Sequence, residues 1–164
     1  MKKIGFVASI CSLFVLLDQV TKYLIIENIP LYGRISLLPF LDIVHLTNPG
    51  VAFGFLSSLP ESFRFYFFIL VFLVAVVLVS VFIYNTPFAE KLMIISLSLI
   101  LSGAIGNSID RLRLGYVTDF IDFHWFSDPK LHWPPFNVAD SCITIGVILL
   151  VISSLFLNKN REGS

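Results

Sequence analysis

The stretch FYFFILVFLVAVVLVSVFIY, from Phe65 to Tyr84, contains one clearly polar side chain, Ser80, besides its tyrosine hydroxyls. An α-helix needs about twenty apolar residues to cross a bilayer, so this stretch predicts a membrane span. Three other segments approach or reach that length, and each carries polar residues near one end. We therefore predict four spanning helices, at about residues 4–26, 63–84, 91–110 and 138–157.

The composition of the whole chain agrees with a membrane protein. Its 164 residues are 57% hydrophobic and 13% charged, more apolar and less charged than a typical soluble domain. The formal net charge is zero, so nothing favours binding to nucleic acid or another polyanion. Cys11 and Cys142 lie in apolar segments, which indicates buried thiols and not a disulfide or metal framework. We expect one membrane-embedded domain, residues 1–164, that acts as a monomer.

Basic residues indicate how the chain is oriented. With four spans, both termini and the connection between the second and third helices lie on the same side of the membrane. That side carries Lys2, Lys3, Lys91, Lys159 and Arg161. Because cytoplasmic segments are enriched in lysine and arginine, we expect both termini in the cytoplasm and extracytoplasmic loops at about residues 27–62 and 111–137.

The first of these loops is predicted to contain strands. Prolines and glycines recur between residues 28 and 61 and exclude a long helix there. Residues 34–38 and 41–46 have the composition of short strands, which suggests a small sheet on the outer membrane face. The second loop is rich in phenylalanine and tryptophan among prolines and charges, a composition typical of the membrane interface. The predicted fold is an all-α membrane protein, a four-helix bundle with a small extracytoplasmic β-sheet.

Polar residues gather at one end of the predicted helices. Such groups are costly within a span, so each one is a candidate functional residue. They are Asp18 and Lys22 in the first helix, Asn107, Asp110 and Arg111 in the third, Asn137 and Asp140 where the fourth begins, and Asp119 in the loop before it. Since the chain reverses at each span, we expect these residues to converge at one level, near the outer surface.

A carboxylate pair is the most economical chemistry for such a cluster. Two aspartates held close together in a low-dielectric site share a proton and titrate as a pair. The ionised member can take a proton from water while the protonated member polarises a scissile carbonyl. Asparagines and an arginine can satisfy the remaining lone pairs and fix the carboxylates in place. The cluster therefore contains the groups that peptide hydrolysis requires, and this is one reaction that it could catalyse.

Four stretches of the chain resemble a known family. They are DQVTK at residues 18–22, NPGVAFG at 48–54, GAIGNSIDR at 103–111 with VTDF at 117–120, and FNVADS at 136–141. In their order and spacing they are similar to those of bacterial lipoprotein signal peptidase, also called signal peptidase II. Together the stretches span most of the chain.

The resemblance implies a function and a set of site residues. It implies an aspartic endopeptidase of the bacterial cytoplasmic (inner) membrane that needs no metal or other cofactor. Such an enzyme removes the signal peptide of diacylglyceryl-modified prolipoproteins, cutting before the lipidated cysteine, and also meets membrane lipid. It implies Asp119 and Asp140 as the catalytic pair, the first loop as an extracytoplasmic cradle, and an active site near the outer face. The supporting or substrate-binding residues it implies are Asp18, Asn48, Gly103, Asn107, Arg111 and Asn137.

Without the motifs, the sequence does not decide which of several acidic residues form the catalytic pair. Asp122 is the obvious competitor of Asp119, because both are loop acids and only the motif distinguishes them. Asp18 with Lys22 is the usual spacing of an intrahelical ion pair. Asp110 beside Arg111 suggests structural charge balance.

Other classes of function compete as well. A metal site could use His45, His124 and His132 with Asp122 and Asp128, although their spacing is not that of a tight ligand set. Lys22 could activate a serine, yet no serine near it is an evident partner. Membrane carboxylates also serve as proton relays, so a proton-coupled transporter is the alternative function. A non-enzymatic membrane scaffold is the third class.

Overall fold

The computed structural model describes residues 2–50, 60–125 and 128–162 of the chain. Within them lie four helices that are long and apolar enough to cross a membrane. They are α1 (Lys2–Asn28), α2 (Glu61–Asn85), α3 (Lys91–Leu114) and α4 (Val138–Glu162). The predicted fold class, a bundle of four spanning helices with a small sheet, is confirmed.

The helices differ in how much of their surface they bury. In the apolar stretch of α3 that is long enough to cross a membrane, 56% of the residues are buried within the protein, whereas none are in the corresponding stretch of α2. The central helix is therefore α3, and α2 presents large apolar side chains such as Leu70 and Val77 on its outside. That distribution is typical of a helix that faces lipid along its length.

The sequence prediction ended the third helix at about residue 110, but α3 continues to Leu114. The helix ends where Gly115 adopts a left-handed conformation, with φ of 82°, and donates its N–H to the carbonyl of Arg111 at 3.1 Å. Glycine takes this conformation without the steric cost of a Cβ. The extra turn carries the chain directly to the sheet.

The sheet is built from both loops. Its strands are β1 (Arg34–Leu38), β2 (Leu41–Asn48), β3 (Val117–Trp125) and β4 (Asp128–His132). β1, β2 and β3 pair antiparallel in that order, and β4 pairs with the end of β3. The strands predicted at 34–38 and 41–46 are confirmed, with β2 two residues longer. The prediction of a mainly interfacial second loop missed β3 and β4.

The two ends of the bundle are different. At the end where α1 and α3 finish and α2 and α4 begin, the sheet contacts α1 and α3; we call this the sheet end. At the other end, the Lys3 ammonium donates to the carbonyls of Tyr84 and Thr86 at 2.8 and 3.0 Å. These bonds tie the start of α1 to the connection between α2 and α3, and we call this the terminal end.

Close packing of α3 against α4 depends on glycine. A Cβ on Gly103 would overlap the backbone carbonyl oxygen of Ala139 in α4, and one on Gly106 would lie 2.6 Å from Oδ2 of Asp18. Both positions therefore require the absence of a side chain. These small residues of α3 bring its backbone close to that of α4 just below the sheet.

We expect Gly103→Ala to destabilise the protein by about 1–3 kcal/mol, because overpacking a close backbone contact forces the helices apart. Thermal unfolding of the purified protein in detergent measures this. Gly5→Ala is the matched control, since a Cβ on Gly5 in α1 meets nothing within 4 Å. Equal melting temperatures for Gly103→Ala and the unmodified protein would contradict the packing argument.

Candidate active site

Asp140 is held in the first turn of α4 by a reciprocal pair of hydrogen bonds with Asn137. The N–H of Asp140 donates to Oδ1 of Asn137 at 2.9 Å, and the N–H of Asn137 donates to Oδ2 of Asp140 at 3.3 Å. This arrangement is a capping box, which satisfies amides that the helix itself leaves unpaired. It leaves Oδ1 of Asp140 outside the cap, and that oxygen accepts a 2.7 Å bond from Nδ2 of Asn107.

Asp119 lies on β3 and is buried, with 4% of its surface exposed. Its Oδ1 accepts a bond from Nδ2 of Asn137 at 2.7 Å, and its Oδ2 accepts one from Nδ2 of Asn48 at 3.0 Å. Asn137 therefore contacts both aspartates: its amide nitrogen bonds Asp119, and its amide oxygen and backbone N–H bond Asp140. The structure brings the two predicted catalytic aspartates together around one asparagine.

The surroundings of Asp119 favour its protonated form. Burial is the main cause, and the charge of Asp140 adds to it; together they raise the pKa of Asp119 to about 6. The hydrogen bonds from Asn48 and Asn137 act in the opposite direction, because they stabilise the ionised carboxylate. The coupling between the carboxyl groups is the electrostatic behaviour expected of a pair that shares a proton.

Arg111 lies beside this pair without a direct hydrogen bond to either aspartate among the described residues. Its Nη1 donates to the backbone carbonyl of Asn107 at 3.3 Å, and its guanidinium lies 4.4 Å from the centre of the Phe68 ring. It interacts electrostatically with Asp140 and Asp119. Arg111 thus supplies positive charge to the site from α3.

Arg111 also lines a cavity of about 370 Å³. Phe65 and Phe68 of α2 and Pro49, which follows β2, form much of the remaining lining. The cavity thus combines apolar surface with two cations, Arg64 and Arg111, of which Arg111 interacts electrostatically with the carboxylate pair. The neighbouring part of the NPGVAFG motif, residues 51–54, lies outside the described residues.

The sequence prediction underestimated a cluster around Lys22. The Lys22 ammonium lies 3.0 Å from Oδ2 of Asp18 and 3.1 Å from Oδ2 of Asp110, and it donates to Oδ1 of Asn107 at 3.0 Å. Gln19 donates to the two carboxylates at 3.1 and 3.0 Å. The intrahelical pair expected of Asp18 and Lys22 exists, but it is part of a larger network. A buried lysine in an apolar helix was the signal that could have revealed this.

The same contacts bear on two of the alternatives. An ammonium has three N–H donors, and Lys22 has three acceptors, none of which is a serine. Lys22 is therefore not placed to activate a serine. Asp110 forms its close contacts with Lys22, Gln19 and the N–H of Thr118. The sequence suggests that it balances the charge of its neighbour Arg111; Asp110 does interact electrostatically with Arg111, and it also forms a close ion pair with Lys22.

Asp122, His45 and His124 have other surroundings, and the side chains of His132 and Asp128 lie outside the part of the chain that the structure describes. Asp122 is buried on β3 opposite Asp42 of β2. His45 Nδ1 is 2.7 Å from the carbonyl of Ile29, whereas His124 Nε2 is 3.4 Å from Oδ2 of Asp42. Among the described residues, no group of three histidine, cysteine or acidic side chains has metal-binding geometry.

Known proteins match this chain along most of its length. Residues 10–156 match the family model described as signal peptidase (SPase) II. A lipoprotein signal peptidase of Syntrophus aciditrophicus is 39% identical over 154 residues, covering 93% of this chain and 92% of that protein. Another, of Thermodesulfovibrio yellowstonii, is 43% identical over 143 residues, covering 87% and 90%.

Solved structures give the same result at the level of the fold. Two bacterial membrane enzymes solved by the in meso method, at 1.9 and 2.3 Å resolution, superpose with TM-scores of 0.77 and 0.79. They are 36% and 35% identical to this chain; the matches cover 93% and 96% of it, and 94% and 92% of those chains. The resemblance inferred from the four motifs is confirmed, and the chain belongs to the signal peptidase II family.

Proposed function

We propose that this chain is an aspartic endopeptidase that removes the signal peptide from diacylglyceryl-modified prolipoproteins, cutting before the lipidated cysteine. Family membership makes it a peptidase, and its relatives named above are lipoprotein signal peptidases. One observation carries the assignment of Asp119 and Asp140 as the catalytic pair: Asn137 bonds both carboxyl groups. Family membership does not support the proton-coupled transporter considered from the sequence.

The pair supplies an acid and a base to one reaction. With a single proton between Asp119 and Asp140, the ionised carboxylate accepts a proton from water as the water attacks the peptide carbonyl. The protonated carboxyl donates to the carbonyl oxygen and stabilises the developing charge. Hydrogen bonds from Asn48, Asn107 and Asn137 hold the two groups, so the site requires neither a metal nor another cofactor for these steps.

The proposed substrate suits the surroundings of the pair. A diacylglyceryl cysteine is held by its acyl chains, which places the scissile bond near the membrane surface. The cavity lined by Phe65, Phe68 and Arg111 offers apolar surface, and Arg111 interacts electrostatically with both carboxyl groups. We propose that the bound precursor uses this surface, that membrane lipid surrounds the bundle, and that a monomer suffices, since one chain supplies every group of the site.

We place the terminal end of the bundle in the cytoplasm and the carboxylate pair near the outer face of the bacterial inner membrane. The bonds of Lys3 to Tyr84 and Thr86 put the first residues beside the connection between α2 and α3. Lys91, at the start of α3, contacts the ring of Phe88 in that connection. Three lysines, counting Lys2, thus support this orientation through the positive-inside tendency.

Asp119→Asn and Asp140→Asn should each reduce cleavage of a diacylglyceryl-modified precursor by about 10²–10⁴-fold, because an amide can neither accept nor supply the proton. Purified variants in detergent, with folding checked by circular dichroism, allow a direct rate comparison on gels. Asp122→Asn is the matched control: it removes another buried carboxyl group from β3 and should retain cleavage. A rate near that of the unmodified protein in either dyad variant would refute the aspartic mechanism.

The protonation of Asp119 should be visible in the free protein. Because its pKa is raised to about 6, infrared spectroscopy should detect a protonated carboxyl group that is lost as the pH rises through that value. Asn48→Leu removes a donor that stabilises the ionised form, so the titration should move to higher pH. Asp140→Asn removes a neighbouring negative charge and should move it to lower pH.

Asn28→Leu serves as the control for the infrared titration, since Asn28 bonds only the carbonyl of Leu24 at the end of α1 among the described residues. Its titration should coincide with that of the unmodified protein. Shifts in the same direction for Asn48→Leu and Asp140→Asn would contradict the coupling between Asp119 and Asp140.

A further inference from the structure

Lys22 is a fully enclosed cation, with 2% of its surface exposed. Its ammonium contacts three acceptors, the side chains of Asp18, Asp110 and Asn107, at 3.0, 3.1 and 3.0 Å. Burying charge is costly unless every partner is well placed, and removing one partner leaves an uncompensated ion. The acceptors are therefore held in fixed positions around one nitrogen atom.

Each of the two carboxylates also accepts a hydrogen bond from a backbone N–H. Oδ1 of Asp18 accepts from the N–H of Ala139 at 2.9 Å. Oδ2 of Asp110 accepts from the N–H of Thr118 at 3.0 Å. Ala139 directly precedes Asp140, and Thr118 directly precedes Asp119. Lys22 is thus connected through Asp18 to the backbone just before Asp140, and through Asp110 to the backbone just before Asp119.

The bond to Ala139 has a clear local reason. Ala139 is the second residue of α4, where a backbone N–H has no partner within the helix. A carboxylate at this position also interacts favourably with the positive end of the helix dipole. Asp18 therefore fixes the start of α4 from α1, while the capping box fixes it from within.

Asn107 adds a third connection. Its amide oxygen accepts the bond from Lys22, which fixes the orientation of the amide and turns its NH₂ group toward Asp140. With the amide reversed, an oxygen would face the carboxylate and a donor would face the ammonium. Lys22 thus also determines which group of Asn107 meets the dyad.

We propose that Lys22, Asp18 and Asp110 form a positioning cluster that sets the backbone and hydrogen bonding of both catalytic aspartates. The proposal deepens the aspartic mechanism above and rests on it. None of the three residues touches the reacting atoms. Their role is to align the two carboxyl groups as one unit, because the positions of both depend on the same ammonium.

The first test separates positioning from stability at Asp110. Asp110→Ala removes the acceptor for Thr118 and should lower kcat on the order of 10²-fold, since small misplacements of catalytic groups have effects of that size. KM should change much less, because the lost alignment acts in the transition state. Asp110→Asn retains an oxygen that can accept from Thr118 and should recover most of the lost rate.

Asp42→Ala is the matched control for Asp110→Ala. Asp42 is also a buried carboxylate, paired with Arg34 at 3.2 Å, but it lies on β2 away from the pair. Rates per folded molecule should fall in Asp110→Ala and not in Asp42→Ala. A kcat within twofold of the unmodified protein in folded Asp110→Ala would overturn the proposal, as would equal losses of kcat in both variants.

A second test needs no substitution and no catalysis. Hydrogen exchange of the unmodified protein should show slow exchange at Thr118 and Ala139. Ser62, the second residue of α2, is the reference for Ala139, because the N-cap of α2 provides no side-chain hydrogen bond. Exchange at Ala139 as fast as at Ser62, or rapid exchange at Thr118, would overturn the proposal even if Asp110→Ala failed to fold.

These results are distinguishable from failure of the proposed function. If Asp119→Asn retained cleavage, the aspartic mechanism would be wrong whatever the exchange rates were. If Asp119→Asn lost cleavage while Asp110→Ala kept its kcat, the mechanism would stand and only the positioning role would be refuted.

Discussion

A membrane-embedded bundle can bury a cation only by surrounding it with acceptors, since the hydrocarbon core offers no water to replace them. Lys22 imposes this constraint on the sheet end of the molecule. Two of its acceptors, Asp110 and Asn107, lie on α3, and the third, Asp18, lies one turn earlier on α1. The two helices are therefore fixed relative to each other by charge as well as by packing. Most of the site follows from that restraint.

The carboxylate pair combines two rigid elements that approach from different parts of the chain. Asp140 belongs to a helix start, whose geometry is set by its capping box, and Asp119 belongs to a strand that is buried on both faces around it. Asn137 joins them and is completely buried. Its amide nitrogen donates to the Thr118 carbonyl at 3.3 Å and to Asp119 at 2.7 Å, while its oxygen caps Asp140. A single planar amide thus fixes the orientation of the strand to the helix.

Much of this arrangement was predictable from the sequence, and what was missed has physical causes. Apolar length predicted the spans, and the shared end of the rare polar residues predicted where they converge. The strand β3 was missed because aromatic and charged residues obscure its alternation. Asp119 was separable from Asp122 only by the motif. In a strand, residues three apart face opposite sides, so the register that places Asp119 toward Asn48 turns Asp122 toward a different environment.

Lys22 and Asp110 were underestimated for a different reason. Each had a near neighbour in sequence, Asp18 or Arg111, that accounted for its charge locally. The contacts that matter join residues on different helices, such as Lys22 with Asn107, and no spacing rule reports them. A lysine within a span nevertheless needs more than an ion pair with one carboxylate, because that carboxylate satisfies only part of the hydrogen-bonding capacity of the ammonium. That deficit by itself indicates further buried acceptors on neighbouring helices.

The sheet gives the pair an environment that a helix bundle alone would lack. A carboxyl group in the hydrocarbon core would have neither hydrogen-bond donors nor access to the water that hydrolysis consumes. Asp119 lies outside the spans, on β3, and its burial together with the charge of Asp140 still raises its pKa to about 6. The low-dielectric surroundings of Asp119 are therefore provided by protein and not by lipid. The same sheet also provides Asn48, whose amide donates a hydrogen bond to Asp119. A dry yet hydrogen-bonded pair at the end of the bundle reconciles a proton-sharing site with a reaction that requires water.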